Sequence, residues 1–222
     1  MSDNKIPSRR RMLGLSFAVG GLAISSAART AFAQDLKPTP HQALGPFYPD
    51  LKPLDQDADL TLITGQSTRA QGQLLHLMGQ VLNLKGEPIA GARVEIWQAN
   101  THGRYNHPGD GNPAPLDANF QGFAEQRTDA QGRYRFKTIK PGAYPAGPDW
   151  VRPPHIHFVV THKKQRLVTQ MYFPGEALNE KDFLLQDLRT SKDAAIARFL
   201  APTKTFEADA LVAVWDVVLD QA

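Results

Sequence analysis

From Gln73 onward, strand-length runs are cut off one after another by turn signals, which leaves little room for helix. Residues 74–84 form one such run and end at Lys85-Gly86-Glu87-Pro88. Residues 92–99 alternate, with Val94, Ile96 and Gln98 on one face and Arg93, Glu95 and Trp97 on the other, the period of a strand. Residues 123–128 and 134–139 read as a hairpin around Asp129-Ala130-Gln131-Gly132. Residues 156–161 and 167–173 read as a second hairpin across 162–166, and 210–219 as a closing strand. The only helix-like stretches fall within 177–205, short and peripheral. This spacing predicts an all-β chain with a β-sandwich core over 73–222. The loop at 100–119 is long for a compact domain, and such loops often carry function.

A chain of 222 residues is a single-domain length, and the domain has to hold without disulfides because there is no cysteine. The same absence excludes zinc–thiolate sites, iron–sulfur clusters and a cysteine nucleophile. A metal here needs His, carboxylate, Tyr or backbone ligands. The formal charge of +3 suggests nucleic acid until it is located. Residues 1–33 hold five basic residues (Lys5, Arg9, Arg10, Arg11, Arg29) against Asp3, which leaves 20 basic and 21 acidic residues in the other 189. The body therefore offers no electrostatic case for nucleic acid.

The basic leader has its own logic. Arg9-Arg10 precede Met12-Leu13, an apolar run of 13–24 follows, and Ala31-Phe32-Ala33 ends it. This resembles a twin-arginine signal peptide over 1–33, which implies export to the periplasm or beyond, with cleavage after Ala33. The run is too short and too rich in Gly and Ala to anchor the mature chain in a membrane. Residues 34–72 are rich in Pro, Asp, Gln and Gly and predict an extended N-terminal arm lying on the core. Within it, the prolines of Gly45-Pro46-Phe47-Tyr48-Pro49 forbid helix.

Chemistry concentrates around Arg152-Pro153-Pro154-His155-Ile156-His157-Phe158. On a strand His155 and His157 share a face while Ile156 and Phe158 turn to the opposite sheet. Two tyrosines, Tyr105 and Tyr144, lie in glycine-rich turns elsewhere. Taken alone, these residues fit surface histidines and packed phenol rings better than they fit a metal site. His76 reads as structural, His41 and His162 as solvated, and Asp117 as a turn former. His102 and His107 lie in the loop beside Tyr105 and could be mistaken for ligands, but Tyr105 is preferred to them.

The ordered set is more specific. Ile96-Trp97-Gln98-Ala99-Asn100, Gly103-Arg104-Tyr105, Pro115-Leu116-Asp117, Asp129-x-x-Gly132-Arg133-Tyr134-x-Phe136, Ile139-Lys140-Pro141-Gly142-x-Tyr144-Pro145 and the Arg152–Phe158 block follow one another across about 73–175. This series resembles the intradiol ring-cleavage dioxygenases. The resemblance implies Fe(III) held by Tyr105, Tyr144, His155 and His157, a catechol-type substrate and O2, and ring opening between the two hydroxylated carbons to a muconate-type diacid. It makes Tyr144 the tyrosinate that substrate displaces and puts Arg152 beside the bound ring, with Gln170 and the arm residue Tyr48 as further substrate contacts. A hard trivalent ion suits anionic oxygen beside imidazole. Zinc or copper is disfavoured by the two tyrosines. The other reading is an exported, non-catalytic β-sandwich binding module, since the fold alone decides nothing. Ala146 stands where family members carry an aromatic, which opens the choice of catechol. A homo-oligomer is compatible with the resemblance.

Overall fold

The computed structural model describes residues 36–220. The expected signal peptide at 1–33 lies outside the described residues. The strands are β1 (Leu74–Asn83), β2 (Arg93–Trp97), β3 (Phe123–Arg127), β4 (Arg133–Ile139), β5 (Tyr144–Gly147), β6 (Trp150–Arg152), β7 (His155–His162), β8 (Gln165–Tyr172), β9 (Arg198–Leu200), β10 (Leu211–Val214) and β11 (Val217–Leu219). Two short helices, α1 (Phe183–Asp187) and α2 (Lys192–Ala195), follow β8. Among the described residues no helix is long and apolar enough to cross a membrane.

Two sheets form the sandwich. One is built on β1, which pairs antiparallel with β4 and, along its other edge, parallel with β10 and β11, with β9 beyond β10. The other has the order β3-β2-β7-β8. Their inner faces bring together Leu75, Leu77, Phe136 and Val217 with Val94, Ile96, Ile156, Phe158 and Met171. Phe158 meets Trp215 with ring centroids 4.8 Å apart, and Tyr134 at 5.9 Å. Each fully buried aromatic or branched side chain of this kind contributes about 1.5–3 kcal/mol by leaving water. Ile156 and Phe158 therefore turn inward, and His155 and His157 turn to the outer face.

Three expectations change. Residues 123–128 and 134–139 do not pair with each other: β3 joins β2, while β4 crosses to the other sheet and pairs with β1 from Leu74↔Ile139 to Gln80↔Arg133. The turn at Asp129–Gly132 is thus a corner between sheets. The closing strand is two pieces, β10 and β11, in one continuous register with β1. The break falls at Trp215-Asp216, where Trp215 N donates to the Met78 carbonyl and the Asp216 carboxylate accepts from Gln80 N. Finally, the 177–205 stretch holds strand β9 as well as helices.

The arm contains no named strand, yet it is fastened along its length. Gln42 N donates to the Val168 carbonyl at the β8 edge. Glu125 N donates to the Gln56 carbonyl, and Lys137 N to the Ala58 carbonyl. Between these points the arm crosses the outer face of the β3-β2-β7-β8 sheet. There a second apolar cluster forms from Trp97, Phe123, Val159, Val168, Tyr105 and Tyr144, packed against Leu44, Phe47 and Tyr48.

Candidate active site

The candidate site grows from that outer face. β7 presents His155 and His157, and the register sets Tyr172 opposite His155 and Gln170 opposite His157. The His155 and His157 Nε2 atoms stand 3.2 Å apart. His155 Nδ1 lies 2.7 Å from the Pro153 carbonyl, so that nitrogen carries the hydrogen and Nε2 offers its lone pair. Trp97 stacks on the His157 ring at 4.7 Å and 14°. Burial, followed by the charge of Arg152, lowers both imidazole pKa values, that of His157 to about 3. Both rings are therefore neutral donors at ordinary pH.

Tyr105 comes from the 100–119 loop, which Asn100 organises. Its side-chain oxygen accepts from His102 N and Arg104 N, and its amide nitrogen donates to the Pro115 carbonyl. Asp110 then accepts from Tyr105 N at 2.7 Å. Tyr144 starts the β5–β6 hairpin. The two segments abut because Gly103, at φ +78°, lies against Ala143, and Gly142 N donates to the Asn100 carbonyl. Tyr105 and Tyr144 consequently meet edge to face at 5.5 Å, with Tyr144 also 5.5 Å from the His155 ring and Tyr105 6.2 Å from His157. The buried Tyr105 hydroxyl makes no hydrogen bond of ordinary geometry, with the Tyr144 hydroxyl as its neighbour. Burial raises the pKa of both phenols; for Tyr144 the Arg152 charge opposes the rise.

Arg152 is the cross-strand partner of Tyr144 in the β5–β6 hairpin. It is 4% exposed and held on three sides. Nε donates to Asp182 at 2.6 Å, and one terminal nitrogen donates to Gln170 at 2.7 Å and to the Tyr172 hydroxyl at 3.0 Å. Burial works against its charge, but the oxygens of Tyr172, Tyr144 and Asp182 more than compensate and raise its pKa above the usual guanidinium value. Gln170 is itself fixed, its amide nitrogen donating to the Ala43 carbonyl of the arm.

Of the arm residues, Tyr48 turns its hydroxyl to Glu95 at 3.1 Å and its ring edge-on to Trp97 at 5.0 Å. Its neighbour Phe47 is the one that reaches the tyrosines, 4.6 Å from Tyr105 and 6.2 Å from Tyr144. Gly45, at φ +78°, passes so close to His157 that a Cβ would stand 3.0 Å from Cε1. His102 is drawn aside to Gln71, and His107 lies tilted against Phe47 with ring centroids 5.7 Å apart. His76 is buried against Glu207 and His41 is exposed, both as expected, whereas His162 is half-buried. Asp117 serves the turn expected of it and also accepts from Gln71 N. Sequence reasoning missed Phe47, Asp182, Tyr172 and Gln42. Only Asp182 carried a local signal, a helix-capping position before Phe183, and that signal says nothing of Arg152.

The four groups suit a cation. Two nitrogens, each about 2.1 Å from one first-row ion and at right angles, stand about 3 Å apart, close to the His155–His157 separation. Among the described residues no three His, Cys, Asp or Glu side chains gather, so the oxygen donors here would be phenolic. A buried hydroxyl left unsatisfied is costly, and a cation among these four groups would relieve that cost.

A dioxygenase family model, Dioxygenase_C, matches residues 44–221. The chain belongs to the intradiol dioxygenase family. It is 45% identical over 175 residues to the protocatechuate 3,4-dioxygenase beta chain of Burkholderia cepacia, spanning 77% of this chain and 73% of that one. The dioxygenase domain of a dioxygenase carbohydrate-binding protein fusion from Streptomyces sp. SirexAA-E superposes with a TM-score of 0.64 at 28% identity, over 84% of this chain and 100% of that one. Catechol 1,2-dioxygenase from Pseudomonas arvilla C-1 gives a TM-score of 0.64 at 27% identity, over 83% of this chain and 63% of that one. As a member of the intradiol dioxygenase family the chain is an oxidoreductase.

Proposed function

We propose that this intradiol dioxygenase holds Fe(III) through Tyr105, Tyr144, His155 and His157, and cleaves a catechol-type aromatic with O2 to a muconate-type diacid. The observation that carries the reading is the convergence of two neutral imidazole Nε2 atoms, 3.2 Å apart, with two buried phenols. Bound there, the ferric ion would supply the positive charge that chelates both catechol oxygens and draws electron density from the ring toward reaction with O2.

The chain's own residues do the rest. Held as a phenolate by the ion, Tyr144 would be the base beside the incoming hydroxyls and would take up a substrate proton at its oxygen. Arg152, paired with Tyr144 across the hairpin, supports negative charge as it develops on the ring. It suits this role because guanidinium does not lose its proton. The other terminal nitrogen of Arg152 has no hydrogen-bond partner among the described residues, which leaves it available to substrate. Gln170 acts through Arg152. Phe47 covers the Tyr105 ring and keeps water from it. The leader at 1–33 would export this enzyme folded, by the twin-arginine route.

The test is the visible spectrum of the purified mature protein, before and after anaerobic addition of catechol. The expected result is a broad tyrosinate-to-iron absorption that shifts when catechol binds. A protein that stays colourless after ferric reconstitution overturns the proposal.

A further inference from the structure

Asp182 is the most enclosed charge among the described residues, 0% exposed, and it lies outside every motif that carries the family resemblance. One carboxylate oxygen accepts from Arg152 Nε at 2.6 Å, while the other accepts from Leu185 N as the N-cap of α1. The Tyr172 hydroxyl lies 3.4 Å from that second oxygen. The Nε–H lies in the plane of the guanidinium, so a bond to it restrains that plane. With Gln170 and Tyr172 engaging one terminal nitrogen, the plane of the guanidinium is fixed before any substrate arrives. Gln42 of the arm closes the ring of contacts, accepting from the Tyr172 hydroxyl at 3.1 Å and donating to the Gln170 carbonyl at 2.9 Å.

We infer that Asp182 is a positioning residue for the reaction: it orients Arg152 so that the free edge of the guanidinium faces the bound ring, and it ties that orientation to the helical segment after β8. The inference rests on the role given to Arg152 above. It follows from geometry that a freely rotating Arg152 would retain its charge but spend it in many directions, whereas preorganised charge acts without rearrangement at the moment of reaction.

The test compares Arg152→Ala, Asp182→Asn, Asp182→Glu and the double variant Arg152→Ala/Asp182→Asn as ferric proteins. Their kcat, catechol KM, tyrosinate absorption and melting temperature are measured. The inference expects Asp182→Asn to lose about 100-fold in kcat while KM stays within threefold and the absorption band is unchanged. Asp182→Glu should recover part of the loss. The double variant should be no slower than Arg152→Ala alone, since two residues acting as a unit do not add. It should also melt above Asp182→Asn, because the unpaired cation is gone.

If Arg152→Ala is slow but Asp182→Asn keeps kcat within threefold, the positioning role falls and the role of Arg152 stands. If Arg152→Ala itself turns over normally, the role of Arg152 falls first. Should Asp182→Asn fail to fold, the double variant decides: a further tenfold loss below Arg152→Ala overturns the inference, as does loss of the absorption band in Asp182→Glu, which would mark a purely structural role.

Discussion

A Cβ on Gly103 would stand 2.2 Å from the Ala143 carbonyl oxygen, so the two loops that carry Tyr105 and Tyr144 touch backbone to backbone. The contact can exist only without a side chain, and the positive φ at Gly103 favours glycine independently. Gly103→Ala is expected to push the loops apart, lower stability by roughly 2 kcal/mol or more and reduce the iron bound per chain. Thermal unfolding and metal analysis of the purified variant check both. A variant with full iron content and unchanged stability would show that the loops meet for some other reason.

Removing a single candidate ligand separates the site from the fold. Tyr105→Phe keeps the ring contacts with Phe47 and Tyr144 and deletes only a hydroxyl that makes no hydrogen bond of ordinary geometry. It should leave the melting temperature of the iron-free protein unchanged or raised, because a buried unsatisfied group is gone. Iron retention should fall at least tenfold. His155→Ala should lose iron as well, and with it the packing against Tyr144 and Tyr172, so its iron-free form should melt lower. Metal content after dialysis, measured beside calorimetry, distinguishes the two patterns.

The arm reaches the tyrosines through Phe47, while Tyr48 is a fastening. The Tyr48 hydroxyl and Lys52 both bond the buried Glu95, and Lys52 also pairs with Glu125 at 2.9 Å. Burial and the Glu95 carboxylate keep the Tyr48 phenol protonated. Phe47→Ala is therefore expected to shift the tyrosinate absorption and raise the KM for catechol several-fold. Tyr48→Phe removes one hydrogen bond, costs about 1 kcal/mol and should leave the spectrum in place. Unequal KM values with an identical spectrum in all three proteins would argue that Phe47 touches substrate only.

Much of this was readable from local pattern, because local geometry fixes it. The period of two put His155 and His157 on one face and Ile156 and Phe158 on the other, and the second hairpin closed where the turn residues allow. Partner choice is not local. Asp129–Gly132 carries a hairpin turn signal, yet Tyr134 and Phe136 find their places opposite Gly79 and Leu77 of β1. A turn states that the chain reverses and leaves open which edge it joins. The same limit hid Asp182, thirty positions from Arg152. On the sequence Tyr48 was the candidate and its neighbour Phe47 was passed over. Only the path of the arm, with Gly45 lying against His157, turns Phe47 toward the tyrosines and Tyr48 toward Glu95.

One prediction concerns acid stability away from the site. Glu207 joins the segment before β10 to the first sheet, bonding Lys137 at 2.8 Å and His76 at 2.7 Å. Those two hydrogen bonds, that from Lys137 foremost, lower its carboxyl pKa from 4.5 to about 2. Burial meanwhile lowers the pKa of His76, so at neutral pH a neutral imidazole faces an ionised carboxylate. The unfolded chain binds this proton more readily than the folded one. The contribution of Glu207 is therefore full above pH 4.5 and is lost as pH falls toward 2. Glu207 is 40% exposed, so solvent screening holds the contribution to about 1 kcal/mol or less. Glu207→Gln should cost that much at pH 7 and progressively less below pH 4.5, so that the two stability curves converge near pH 2. Chemical denaturation of the iron-free proteins at pH 7, 4 and 2.5 measures the gap. A constant difference across that range would mean that Glu207 acts through packing and not through its charge.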